Sequence, residues 1–337
     1  MNHIKSIIVM GCLVVFSAAV FCDDAAVIKK QKNMAASINK KLGTNLKTGE
    51  TPHYIVHYDI KANKFTKQLP KVLEGLYAKF KRIFRMKSTD KLWDGKLLVY
   101  FWNSRANFIK FARHVDKFDA SAAGGYFAFR GKEVHINMPY ESRRSNPEAR
   151  DAWMYEVLCH EVTHAFVQFY KTTVRIRPWL NEGLANFMAF QITQSSAPHL
   201  AKHINTKNHF INLIKMRLRS NSLRPLTQLS QQYTMSPSDH EGYAIAWVVV
   251  SFMAKYKPRQ MVRFIQMLKE DPHIEKVLTM AAQGKGKNQK DLMAAYRKSV
   301  KYQNECFEKA FGLSLKEFEK KWLKWLKANI NKLDKIF

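Results

Sequence analysis

Apolar and polar positions along the chain follow two regimes that meet near Pro147. Before it, short apolar runs dominate. Tyr54–Tyr58 alternates and is rich in β-formers, which predicts a strand. Leu97–Trp102 is apolar almost throughout, which predicts a buried one. Gly124–Phe129 and Glu133–Asn137, joined by a Gly-Lys turn, predict a hairpin. Leu69, Val72, Leu73, Leu76, Phe80, Ile83 and Phe84 recur at helical spacing, so a helix is expected over 65–86, with a second over 104–114. Residues 23–49 are polar and Lys-rich and read as a basic N-terminal arm or loose helix.

After Pro147 the period becomes helical, over 148–170, 179–193, 206–218, 239–256, 258–269, 288–301 and 315–335, with no convincing strand. Gly284 to Asn288 is a short polar loop, and no internal repeat is visible. The pattern predicts an α+β protein, with an N-terminal mixed β-sheet and helices over 50–146 and a mainly helical half over 147–337.

Composition narrows the partners. The 337 residues are 46% hydrophobic, enough for a large core, which excludes an intrinsically disordered chain. Lys and Arg outnumber Asp and Glu by 56 to 27, for a formal charge of +29. Spread along the chain, this charge suits a solvated basic surface. It equally suits attraction to an anionic partner such as lipid headgroups, cell-wall polymers or acidic peptides. No nucleic acid is expected, because no helix-turn-helix, zinc-finger or RNA-recognition signature accompanies the charge.

Lys5, an apolar run from Ile7 to Phe21, the small residues Ser17 to Ala19 and the acidic pair Asp23-Asp24 have the layout of a secretory signal peptide over 1–22. The run is short of the ~20 residues a membrane span needs. An uncleaved anchor and a lipidated Cys22 are the alternatives, and the bulky Phe21 disfavours the latter. The expectation is export to the periplasm, the envelope or the medium. With Cys12 and Cys22 in that segment, only Cys159 and Cys306 remain, as one bridge or two buried thiols.

The chemistry centres on His160-Glu161-Val162-Thr163-His164. It lies in a segment from Ala152 to Tyr170 with helical periodicity and no Gly or Pro. Residues four apart share a helix face, so both imidazoles can reach one ion while Glu161 is offset toward its water. The flanking Trp153, Val157, Ala165, Phe166 and Phe169 are apolar, so the histidines belong to a helix with buried faces. A catalytic zinc needs a third protein ligand. Val167 and Tyr170 stand where a metzincin would have Gly and His. Pro178-Trp-Leu-Asn-Glu-Gly-Leu-Ala185 instead offers Glu182 on the following helix, reached by a basic connection from Lys171 to Arg177.

HEVTH followed by WLNEGLA resembles the gluzincin metallopeptidases, the thermolysin and aminopeptidase N branch. It is most similar to the peptidase MA-like bacterial proteins, whose HExxH is joined to a Pro-Trp-Leu-x-Glu-Gly-x-Ala segment. The specific part of the resemblance is residues 159–186, and the element order extends it over about 50–335. The 17 residues between His164 and Glu182 are slightly fewer than in well-known members.

The resemblance implies a gluzincin catalytic fold and one Zn2+ on His160, His164 and Glu182. It also implies Glu161 as general base and peptide or protein substrates. Tyr243 or His240, at the start of the helix from Glu241 to Tyr256, would hold the oxyanion. Asn186, one turn past Glu182, would orient a ligand histidine, and strand Val134–Asn137 would offer its edge to an extended peptide. The Gly-x-Met-Glu-Asn motif of the aminopeptidases is missing, which disfavours amine-directed exopeptidase activity. The rival expectation is a non-catalytic, metal-containing binding or cell-surface-associated protein of the same fold. The Trp- and Lys-rich final helix, read as a docking helix or as a membrane-surface helix, motivates it.

Overall fold

A computed structural model of the protein describes residues 24–61, 63–130, 133–140, 146–203, 205–277 and 289–336. The predicted signal segment over 1–22 and the polar loop from Gly284 to Asn288 lie outside them. The chain forms two compact units. One comprises Met1–Phe166 with Gln191–His203, the other Val167–Phe190 with Ile204–Phe337.

The first unit is built on a five-stranded mixed sheet, the second is helical, and the protein is α+β. The sheet comprises β1 (Lys47–Glu50), β2 (Tyr54–Tyr58), β3 (Leu97–Trp102), β4 (Tyr126–Arg130) and β5 (Glu133–Pro139), in the order β1-β2-β3-β5-β4. β2, β3 and β5 run parallel; β1 and β4 are antiparallel additions at the two edges. All six residues of β3 are buried, as a central parallel strand covered on both faces requires.

α1 (Asp24–Leu42) places Ala35, Ile38 and Leu42 in the same core cluster as Ile55, Leu98, Tyr100 and Trp102. The segment expected to be a basic arm is therefore part of the fold, because its few apolar residues lie on one helix face while the lysines stay outside. β1, polar in sequence, is held by its register against β2 from Lys47↔Tyr58 to Glu50↔Ile55. α2 (Lys64–Ile83) starts at a capping box between Asn63 and Thr66 and buries Phe65, Leu69, Val72, Leu73, Leu76 and Phe80.

The hairpin forms as expected, with Tyr126 opposite Asn137. Its exposed edge is not the predicted one. β5 is hydrogen-bonded on both sides, to β3 and β4, so Val134–Asn137 has no edge to offer, and the outer strand of the hairpin is β4. The turn signal located the hairpin, but which arm joins the sheet depends on the crossover from β3, which the hairpin sequence does not specify. The helix expected over 104–114 is split into α3 (Arg105–Phe111) and a π-helical turn (Ala112–Asp116).

No strand follows β5 among the described residues. α4 (Pro147–Phe169) begins where the Asn146 side chain accepts the Ala149 N–H. α5 (Pro178–Ser196) follows, then α6 (Asn205–Arg219), the single turn α7 (Leu226–Leu229), α8 (His240–Tyr256), α9 (Pro258–Leu268), α10 (Gln289–Phe311), α11 (Leu315–Ala328) and α12 (Leu333–Ile336). α8 is the spine of the helical unit, its residues buried almost without interruption from Ala244 to Ser251.

α10 runs ten residues past its expected end, burying Cys306 and Phe307. α11 buries Leu315, Phe318, Trp322 and Leu326, and its Glu319 carboxylate accepts from the Leu226 N–H and the Thr227 hydroxyl. Its apolar face is thus covered, as a docking helix requires; the membrane-surface alternative needs that face open. No helix among the described residues is long and apolar enough to cross a membrane.

Candidate metal centre

α4 carries the HEVTH segment and is anchored in the first unit by stacked aromatics. Tyr155 stacks on Phe65 at 4.4 Å, and its hydroxyl donates to the Phe65 carbonyl at 2.7 Å. One helix length on, Phe166 stacks on Phe80 at 4.5 Å. Two glycines before β4 let that strand come close to the same helix. A methyl on Gly125 would lie 2.6 Å from the Met138 sulfur and 3.1 Å from Val157, and one on Gly124 would lie 3.0 Å from the Trp153 ring. The start of the edge strand therefore sits within van der Waals contact of α4 one turn ahead of His160.

On α4 the rings of His160 and His164 stand edge to face, with centroids 4.7 Å apart and planes at 87°. On α5, Glu182 turns a carboxylate oxygen toward them. One ligand atom from each of His160, His164 and Glu182 lies within 4.8 Å of the others, and all three residues are half-buried. The group could hold a metal ion. Bonds of ~2.0–2.2 Å to imidazole nitrogen and carboxylate oxygen require such donors to lie a few ångströms apart, so the separation of these two imidazoles and one carboxylate suits a single small metal ion. Glu161, half-buried, directly follows the first ligand.

Gly183 fixes where Glu182 stands. A methyl there would lie 2.5 Å from the Ala246 carbonyl oxygen and 2.7 Å from Val250, so α5 and α8 touch backbone to backbone beside the ligand. Tyr243, half-buried and three residues before Ala246, shares the face of α8 that meets this contact. The N-terminus of α8 is fixed by Asp239, which accepts the Gly242 N–H at 3.0 Å and whose two oxygens share Arg224 Nη2 as donor, at 2.8 and 2.9 Å. His240 is exposed, its ring 5.8 Å from that of His209, and it is not one of the three converging groups. Asn186 is buried on α5, one turn past Glu182.

Cys159, beside the first ligand, is a free thiol that burial pushes far above its ordinary pKa. Cys306 is also free and buried. Neither forms a bridge, and a thiol held protonated in this way is a poor metal ligand or nucleophile.

The end of α4 is held from α9. The buried Lys269 ammonium donates to the carbonyls of Val167 at 2.8 Å and Gln168 at 3.1 Å, and Gln266 donates to the Tyr170 hydroxyl at 2.7 Å. A cation on the last carbonyls of a helix is where the helix dipole favours it.

Sequence reasoning did not single out Gly183, Lys269 or Arg177. Gly183 carried a signal, as a glycine inside a helical pattern. Lys269 and Arg177 carried none, since the one reads as the last residue of the helix expected over 258–269 and the other as a member of a basic connection.

A family described as a protein of unknown function, DUF1570, matches residues 155–275, from within α4 to beyond α9. No curated protein matches the chain.

Proposed function

We propose that the protein is an exported zinc peptidase of gluzincin type, with Glu161 as its general base. The observation that carries this reading is the convergence of His160, His164 and Glu182 within 4.8 Å, with Glu161 next in the chain to the first of them. A zinc ion bound there would lower the pKa of its water toward ~7 and polarise a carbonyl.

The remaining work falls to side chains of this chain. Glu161 accepts the proton of the attacking water and delivers it to the departing amine. Tyr243, on the α8 face packed against α5, is the better placed of the two candidate oxyanion donors. His240 is exposed beside His209 and less suited to the role. Strand β4, the outer strand of the hairpin, held against α4 by Gly124 and Gly125, is the element beside which an extended peptide would lie.

The deciding experiment is Glu161→Gln, assayed with a mixed peptide library and by metal analysis. The expected result is one zinc per chain, as in the parent, with cleavage reduced roughly 10²–10⁴-fold. Full activity in this variant would remove Glu161 from the reaction. A parent protein that holds zinc and cleaves nothing would favour the non-catalytic reading.

A further inference from the structure

Arg177 sits in the helical unit, 2% exposed, yet its Nε, Nη1 and Nη2 have no hydrogen-bond acceptor among the described residues. A guanidinium carries five N–H donors in one plane, and burying them unmet is costly. The Tyr296 ring covers one face of the group at 5.3 Å, which leaves the in-plane donors unused. Burial pulls the pKa of Arg177 down from its ordinary value, against the opposing influence of Tyr296 and Asp271.

The neighbouring carboxylates are engaged elsewhere. Asp271, itself buried, accepts the Ser299 hydroxyl at 2.5 Å and the His273 N–H at 2.8 Å. Glu275 accepts the Arg175 N–H at 3.1 Å. Lys269, a second buried basic side chain two residues before Asp271, brings no negative charge to compensate it. The sequence from 278 to 288 contains two lysines and no acidic residue. Arg177 also immediately precedes the 19-residue α5, and its carbonyl accepts the N–H groups of Leu180 and Asn181. The positive end of that helix reinforces the charge already there.

We propose that Arg177 forms an internal oxyanion site, in which a small carboxylate or phosphate-class ion takes in-plane bonds from the guanidinium beside the Tyr296 ring, at the start of α5. The planar fork selects two oxygens of one ion over a spherical halide. The inference is independent of the metal centre.

The test is thermal unfolding of the full-length protein at constant, high ionic strength, which screens the basic surface. Sodium phosphate, or separately sodium acetate, replaces sodium chloride stepwise. The parent is expected to show a saturable rise in Tm of about 4–8 °C at an anion concentration of ~100 times Kd. The arm that responds identifies phosphate or carboxylate as the guest. Arg177→Met should show no rise, and Arg177→Lys, which keeps the charge and loses the fork, should need at least ~10-fold more anion.

A parent indifferent to both ions, or equally stabilised by chloride, overturns the proposal. So does an Arg177→Met variant that responds like the parent. If that variant does not fold, the lysine variant decides, and a response equal to the parent's overturns the site.

Discussion

Two groups of buried polar side chains, one in each unit, end differently. In the sheet unit the group around Asn137 closes on itself. The Trp102 indole donates to the Asn137 carbonyl oxygen at 2.6 Å, and the Asn137 amide donates to the Tyr126 hydroxyl at 2.8 Å. That hydroxyl donates to Asp116 at 2.5 Å, and His135 meets the same carboxylate oxygen at 2.9 Å. Each of these groups serves the next, and the product is a rigid frame. In the helical unit the Arg177 guanidinium has no acceptor among the described residues, and the Lys269 ammonium donates to the end of α4. A closed network holds strands, whereas the group that converges at His160, His164 and Glu182 could hold a metal ion.

His164→Ala gives the largest expected effect and the sharpest test of that contrast. Zinc content should fall from one per chain to near zero and peptide cleavage to background, while unfolding by urea shifts little in the metal-free protein. A variant that kept its metal would break the distinction. Asn137→Leu should do the reverse. Stranding the Trp102 and Tyr126 partners should cost ~2–4 kcal/mol in urea unfolding, with zinc stoichiometry intact in the folded fraction.

Gly183→Ala is intermediate. Its methyl must displace α8 backbone, for ~1–3 kcal/mol of stability and a measurably weaker zinc affinity by competition with a chelator. An unchanged affinity would show that Glu182 is placed independently of α8.

The last effect concerns pH. Burial pushes Lys269 down to about 7, against a weaker opposing pull from Glu275. An exposed lysine titrates near ~10.4, so between these values the unfolded chain binds a proton that the folded chain does not. Stability therefore rises as pH climbs from about 7 to ~10.4 and is lost on the way back down. Lys269→Met should flatten that slope in urea titrations across the window.

The parts of the molecule legible in the sequence are those where local pattern and tertiary burial agree. β3 is apolar in sequence and buried throughout, and the HEVTH and WLNEGLA segments carry their residue types at helical spacing. Legibility failed where long-range packing decides. α1 and β1 are polar in composition and hold their place through three buried side chains and a register. The choice of β4 over β5 as the edge depends on a crossover elsewhere in the chain. Arg177 closes a run, Lys171 to Arg177, that reads as a solvated basic connection, and only its burial distinguishes it from its neighbours.

Neither unit is an unbroken stretch of chain, because residues 167–190 count with the helical body and 191–203 return to the sheet body. Cutting the polypeptide anywhere between Phe166 and Ile204 would leave at least one fragment short of part of its own body, so no single cut separates the two bodies cleanly. The same holds for the segment 155–275 taken alone, which starts inside one helix and carries pieces of both bodies.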